Sequence, residues 1–199
     1  MTGMPITALD LTGFEPFEHE QIAWRDADGT ALTLHYFELP PDLPAPLDEV
    51  ARLQAGRARS AAEAGGGLVE CEVEPVDGVP ALRQIIKLPH WQGHGQVFLG
   101  SYTIPRATCS TVIKLQAPEY GDTGMREAVI AARIGFEDFI TPSPYAPGLT
   151  GGLPSHRADD PRYDEEFPQH PLSLVRAKLA RLGPSIRLDE RFKALPAFG

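Results

Sequence analysis

The stretch LVECEVEPVDGVPALRQIIKL (residues 68–88) decides the fold, because it reads as two strands joined by a tight turn. Residues 68–74 alternate between apolar and polar side chains, as a half-buried strand does. A second apolar-rich run follows at residues 81–88, and Asp77-Gly78 stands between the two. An Asp-Gly pair between strand-like runs is a strong short-range signal for a β-hairpin. The pattern therefore predicts an antiparallel pair of strands.

Further strand-like runs lie on both sides of this hairpin. Residues 96–104 and 107–116 follow it with short connections, and both are rich in apolar or β-branched side chains. Upstream, Asp28-Gly29 lies between the strand-like residues 22–25 and 31–37. We therefore expect a leading hairpin and a four-stranded antiparallel meander.

One helix is predicted ahead of the meander and another behind it. Pro46 precedes a pattern of helical spacing that begins at residues 47–49 and ends at the three glycines 65–67. Asp122 is the predicted N-cap of the second helix, and Gly135 is its predicted stop. This order of elements predicts an α+β fold in which helices pack on an antiparallel β-meander sheet, an α/β/α-type sandwich.

The composition changes after residue 140. Residues 141–171 hold seven prolines, which favours an irregular arm over a second core. A helical stripe of apolar residues then follows, formed by Leu172, Val175, Leu179 and Leu182. We expect a sandwich domain at residues 1–140 and, at residues 141–199, a Pro-rich arm whose C-terminal helix packs on that domain.

The C-terminal region is basic, whereas the chain as a whole is acidic. From Pro171 onward there are six Lys or Arg residues and two Asp or Glu residues, within a chain of net charge −9. Opposite charges favour docking of this region on the acidic body. The alternative is a detached basic helix that binds an acidic partner.

Composition also limits the class of protein. The net charge of −9 argues against a general nucleic-acid binder. No apolar run reaches the roughly 18 residues of a membrane-spanning helix, and the N-terminus lacks a signal-peptide pattern. We therefore expect a cytoplasmic protein without a membrane span. Cys71 and Cys109 fall in strand-like runs and are expected to be buried and reduced, with a disulfide between neighbouring strands as the alternative.

Motifs for catalysis or metal binding are weak. His90 and His94 are four residues apart, but they lie in a loop between Pro89 and Gly95 and lack the glutamate of an HExxH motif. The chain has no nucleophile elbow, no phosphate-binding loop and no dinucleotide fingerprint. We therefore expect no catalytic residues, no metal site and no cofactor.

The segment HRADDPRYDEEFPQH (residues 156–170) concentrates five carboxylates within eight residues. Such a group could bind a hard cation, but the spacing matches no calcium-binding loop. The segment is expected to be a solvated acidic loop whose carboxylates pair with Arg157 and Arg162.

The order of elements resembles a known superfamily. The strand ending at Tyr36-Phe37, the helix that begins after Pro46 and the run EVEPVDGVPALR (residues 72–83) are similar to the PsbP-like, Mog-like and DcrB-like proteins, over about residues 15–140. That resemblance implies an α+β fold and a mostly non-enzymatic role in binding other proteins. One bacterial branch of the superfamily serves as chaperones for secretion-system effectors. No catalytic residue is carried over by the resemblance.

These observations predict a non-catalytic protein-binding module, an adaptor or a chaperone. Its partner would be another protein or a second copy of the chain. If Leu99 and Ser101 face the core, then Phe98 and Tyr102 point outward from the third meander strand. Together with Trp91, these two aromatic residues are the predicted contact residues.

Two alternatives stay open at this point. The face that carries Phe98 could be covered by the C-terminal arm or by a second copy of the chain. The chain could also be a small hydrolase in which His90 or His94 works with nearby carboxylates as general acid and base.

Overall fold

The computed structural model describes residues 3–17, 22–91 and 93–199. Its described strands are β1 (Ile6–Ala8), β2 (Phe14–Pro16), β3 (Ala23–Asp26), β4 (Ala31–Phe37), β5 (Gly67–Val76), β6 (Val79–Pro89), β7 (Gln96–Arg106), β8 (Cys109–Pro118), β9 (Ile140–Thr141), β10 (Ser155–His156) and β11 (Arg187–Leu188). Its described helices are α1 (Val50–Glu63), α2 (Met125–Ile134), α3 (Phe136–Phe139), α4 (Pro171–Leu182) and α5 (Glu190–Lys193). Short 3-10 turns lie at Arg157–Asp159, Pro161–Tyr163 and Gly183–Ser185.

Seven of the described strands form one sheet in the order β2-β3-β4-β8-β7-β6-β5. Every pairing between neighbours in this sheet is antiparallel. Strands β5 to β8 form the meander, and β3 and β4 form the leading hairpin. The prediction of an α+β fold with helices on an antiparallel sheet is confirmed.

The hairpin between β5 and β6 turns at the predicted Asp-Gly pair. Val76 pairs with Val79, and the two residues between them have positive φ angles, 47° at Asp77 and 80° at Gly78. Two successive positive φ angles are the signature of a type I′ turn, whose twist matches that of the strands. The Asp77 carboxylate also accepts a hydrogen bond from the backbone N–H of Leu188 at 3.0 Å, which ties the turn to the C-terminal region.

The two long helices α1 and α4 cover opposite faces of the sheet. Leu82 belongs to the hydrophobic cluster around Leu53 of α1, whereas Ile85 belongs to the cluster around Leu179 of α4. Because side chains alternate along a strand, residues three apart on β6 lie on different faces. The result is a layer of helix on each side of the sheet.

Helix α4 approaches the sheet closely at Gly100 of β7. A Cβ atom at this position would lie 2.4 Å from Cγ1 of Val175 and 2.9 Å from Cδ1 of Leu179. The predicted stripe of α4 is buried, with exposures of 0 to 1% at Leu172, Val175, Leu179 and Leu182. Residues of the C-terminal region therefore share one core with the sheet.

Two predicted helix starts are wrong. Helix α1 begins at Val50, not at residues 47–49. Helix α2 begins at Met125 with Gly124 as its N-cap, and Asp122 does not cap it. Asp122 lies two residues before the N-cap, in a loop where the Glu119 carboxylate accepts a hydrogen bond from the N–H of Gly124 at 3.0 Å.

Cys71 and Cys109 are both free and buried. They belong to the hydrophobic clusters on opposite faces of the sheet, so they do not pair. Burial raises the pKa of the Cys71 thiol to about 11, which keeps it protonated at neutral pH.

Helix length bears on membrane insertion. Within the described residues the longest helix, α1, has 14 residues. None of the described helices combines the length and the apolar character that crossing a bilayer requires.

Candidate binding surface and a buried polar network

Two of the three predicted contact residues, Phe98 and Tyr102, are buried under α4. Their exposures are 0% and 2%, and the Tyr102 hydroxyl donates a hydrogen bond to Glu74 at 2.5 Å. The prediction that they point outward for a partner is wrong. The apolar stripe of α4, which includes Val175, covers the face that they occupy. This is the alternative in which the C-terminal arm covers the face that carries Phe98.

The third residue, Trp91, is exposed to 63%. Its ring stacks on His90, with 4.3 Å between ring centroids. The His90 ring also makes an edge-to-face contact with the Tyr120 ring, with 6.4 Å between centroids. Tyr120 is exposed to 65%. Trp91 and Tyr120 thus place two large exposed rings around one buried imidazole, a feature that we call the Trp91–Tyr120 surface.

Backbone pairing brings these rings together. Val97 near the start of β7 pairs with Pro118 at the end of β8, so the loop before β7 lies beside the residues that follow β8. The loop closes on itself through the N–H of His90, which donates to the carbonyl of Gly95 at 3.0 Å. Gly95 has a φ of 77°, a value that glycine adopts without strain.

The two histidines of the hydrolase hypothesis have different environments. His90 is 6% exposed and its ring contacts two aromatic rings, whereas His94 is exposed. Within the described chain, the close contacts between a histidine and a carboxylate occur at His156 and His170. Neither of these histidines is part of the hydrolase hypothesis.

The acidic segment after residue 155 is not a solvated loop that pairs only with its own arginines. Asp160 does pair with Arg162, at 3.0 Å. The other pairs reach the sheet and the helices: Asp159 with Lys87 at 2.7 Å, Asp164 with Arg126 and Arg176 at 2.8 Å, and Glu166 with Arg133 at 2.5 Å. A buried charge is costly without a partner, and Asp159 and Asp164 supply the partners of the buried Lys87, Arg126 and Arg176.

Arg126 of α2 is the centre of this buried network. Its side chain is fully buried, with 0% exposure. It donates to the carbonyls of Ala158 and Asp160 at 2.8 and 3.0 Å and to the side chains of Asp164 and Ser173, both at 2.8 Å. One guanidinium therefore holds α2, the arm and α4 together.

A second buried group joins Lys87, His156 and Asp159. The Lys87 ammonium donates to Nε2 of His156 at 3.0 Å and to Asp159 at 2.7 Å. Burial, and to a smaller extent the charge of Lys87, lower the pKa of His156 to about 4, against the opposing charge of Asp159. His156 is therefore neutral at physiological pH, with Nε2 as the hydrogen-bond acceptor.

A third cluster lies where the loop after β8, helix α2 and the start of α4 meet. Nε2 of His170 is 3.5 Å from Oε1 of Glu119 and 3.7 Å from Oε1 of Glu127. Burial raises the pKa of Glu127. For Glu119 burial is outweighed, because His170 and the backbone N–H groups of Gly124 and Gln96 hold its pKa below the usual value. Sequence analysis identified His170 within the acidic segment but missed both glutamates.

A groove of about 1270 Å³ runs between β5, α4 and the arm. Its charged walls pair with each other. Arg83 contacts Glu70 at 2.8 Å and Glu72 at 3.1 Å, and Arg176 also contacts Glu70. These contacts tie α4 to the edge of the sheet.

Comparisons with known proteins give a fold-level likeness. No family model matches the chain, and no curated protein matches it. Among solved structures, the chain is similar to the solution structure of cyanobacterial PsbP (CyanoP) from Synechocystis sp. PCC 6803, at 12% sequence identity, a TM-score of 0.31, and coverage of 61% of this chain and 76% of that one. At this TM-score the likeness carries no argument about function, and the PsbP-like resemblance extends no further than the α+β class of the fold.

Proposed function

We propose that this chain is a non-catalytic protein-binding module, acting as an adaptor or chaperone, and that it binds its protein partner through the Trp91–Tyr120 surface. The observation that supports the proposal is the pair of rings, exposed to 63% and 65%, that both contact the buried His90 ring. Tryptophan and tyrosine are enriched at the centres of protein interfaces, where they contribute most of the binding energy.

The packing of this surface favours binding. The Trp91 ring stacks on the buried His90 ring, and the backbone of His90 is fixed by the hydrogen bond from its N–H to the carbonyl of Gly95. A ring that is already held in place loses little conformational entropy when a partner covers it. The surface is therefore organised before a partner arrives.

The test is recovery of partners from the native host by the tagged chain. We compare the wild type with the double variant Trp91→Ala, Tyr120→Ala, and use Phe136→Ala as a matched control because Phe136 of α3 is exposed to 78%. We expect the wild type and the control to recover the same identified protein, and the double variant not to recover it. Calorimetry with the purified chains should show that this protein binds the wild type and the control with similar affinity and binds the double variant much more weakly.

Equal affinity of the wild type and the folded double variant for that protein would contradict the proposal. Light scattering of the purified chain shows whether a second copy of the chain, instead of a different protein, covers this surface. Dimerisation that depends on concentration and is lost in the double variant would mean that a second copy of the chain covers the Trp91–Tyr120 surface in place of a different protein.

A further inference from the structure

Three side chains that are distant in sequence converge at the end of β8. Glu119 follows that strand, Glu127 lies in the first turn of α2 and His170 is the N-cap of α4. One ligand atom from each side chain, a carboxylate oxygen of each glutamate and an imidazole nitrogen of His170, lies within 4.8 Å of the other two. Two carboxylates and one imidazole are a mixed oxygen and nitrogen donor set, which suits divalent first-row transition metals.

The cluster is buried and incompletely hydrogen-bonded. The side chain of His170 is only 8% exposed and that of Glu119 only 4%. Within the described residues, neither Nε2 of His170 nor Oε2 of Glu127 has a hydrogen-bond partner. Buried polar atoms without partners are uncommon because losing their hydration costs free energy. Two carboxylates side by side add repulsion, which a cation between them would remove.

The two separations from the imidazole are close to those of a tetrahedral ion, and the two glutamate oxygens lie within 4.8 Å of each other. Zinc binds imidazole nitrogen and carboxylate oxygen at about 2.0 to 2.2 Å, so two ligand atoms of a tetrahedral site lie about 3.4 Å apart. The separations of 3.5 and 3.7 Å between Nε2 of His170 and the two glutamates require only small adjustments to reach that geometry.

Neighbouring groups already orient the ligands. The Glu119 carboxylate accepts hydrogen bonds from the N–H of Gln96 at 2.7 Å and of Gly124 at 3.0 Å. The rings of His170 and Phe98 make an edge-to-face contact, with 5.3 Å between centroids. Metal ligands in proteins are held by a second set of contacts in this way.

One hydrogen bond of His170 opposes metal binding, because it would be lost when the metal binds. Nδ1 of His170 accepts a hydrogen bond from the N–H of Leu172 at 3.3 Å. A neutral imidazole that binds a metal through Nε2 carries its proton on Nδ1, so that long hydrogen bond would be lost. The loss of one such bond weakens the affinity without removing any of the three ligands.

We propose that Glu119, Glu127 and His170 form a binding site for one divalent transition-metal ion, with zinc as the best-fitting ion and a water molecule as its fourth ligand. The ion would join the loop after β8 to helices α2 and α4. The proposal is independent of the proposed function, because its evidence is the cluster and its test is metal binding by the purified chain.

The test is titration of the metal-stripped, untagged chain with zinc by calorimetry at neutral pH. We expect one zinc ion per wild-type chain. Glu127→Gln and His170→Asn should each weaken the affinity by more than about tenfold, because each removes a direct ligand and the loss of a contact behind a ligand already costs about 10- to 100-fold. Asparagine is a favoured N-cap, so His170→Asn keeps the start of α4 capped. The matched controls are Glu137→Gln and His94→Asn, whose side chains are exposed and lie outside the cluster.

Several results would overturn the proposal. These are the absence of saturable zinc binding, equal affinity of the ligand variants and the wild type, or a loss of affinity in His94→Asn that matches the loss in His170→Asn. A measurement on the unaltered chain does not depend on how the variants fold. The ¹⁵N NMR signal of Nε2 in His170 should shift on zinc addition, and an unshifted signal at zinc saturation would also overturn the proposal.

Discussion

The ammonium group of Lys87 lies 2.7 Å from the carboxylate of Asp159, and the Lys87 side chain is only 1% exposed. Lys87 belongs to strand β6, whereas Asp159 belongs to the arm that follows the sandwich. The pair therefore fixes the arm on the face of the sheet that α4 covers. Burial lowers the pKa of Lys87, and the charge of Asp159 opposes that change.

The first prediction is that Asp159→Asn lowers the free energy of unfolding by about 3 kcal/mol, because it leaves a buried ammonium without its counter-charge. Chemical denaturation monitored by circular dichroism measures the effect. Asp160→Asn is the matched control. Its partner Arg162 is 59% exposed, and an exposed pair contributes less than about 1 kcal/mol. Equal losses in the two variants would mean that the burial of Lys87 does not determine the strength of its pair.

The second prediction concerns stability and pH through His156. Its pKa of about 4 in the folded chain is below the ordinary value of about 6.5, so the unfolded chain binds this proton more readily. The stabilisation is fully present above pH 6.5 and is lost as the pH falls toward 4. The difference amounts to at most about 3 kcal/mol.

Denaturation of the wild type and of His156→Gln at a series of pH values tests this dependence. Glutamine does not titrate, so the variant should lose less stability than the wild type between pH 6.5 and pH 4. If the free energies of unfolding of the wild type and of His156→Gln fall equally with pH across this range, His156 is not the group that causes the pH dependence.

The third prediction tests the close packing of α4. Gly100→Ala introduces a Cβ atom 2.4 Å from Cγ1 of Val175, and such overpacking costs about 1 to 3 kcal/mol. Thermal unfolding should show this loss. In the double variant Gly100→Ala, Val175→Ala the two changes should cost less than the sum of their separate effects, because the second relieves the overlap caused by the first. If the losses of stability in the two single variants add up in the double variant, the close packing of Val175 on Gly100 is contradicted.

The sequence predicts the elements better than it predicts their contacts. Asp77-Gly78 is a local signal, and the structure contains the hairpin that it indicates. Alternation along β7 correctly groups Phe98 with Tyr102 on one face. It does not show which face a helix some 70 residues later will cover, because that depends on packing against α4.

The buried polar cluster is beyond sequence reasoning for a related reason. Glu119, Glu127 and His170 have no spacing that matches a metal motif, since a strand end, a helix and a helix cap bring them together. Lys87 stands within the apolar run Ile85 to Leu88 of strand β6, and this is a usable signal, because a charged residue on a buried face needs a partner. The identity of that partner, Asp159, comes only from the path of the arm.

We propose that the Trp91–Tyr120 surface binds another protein. The most direct measurement is photo-crosslinking in the native host, with a photoreactive phenylalanine derivative placed at position 120 and, as the control, at position 136. We expect one discrete heteromeric adduct from position 120, which weakens when Trp91 is changed to Ala, and a different pattern or none from position 136. The claim would be contradicted by no adduct from position 120, or by the same adduct at equal yield from both positions.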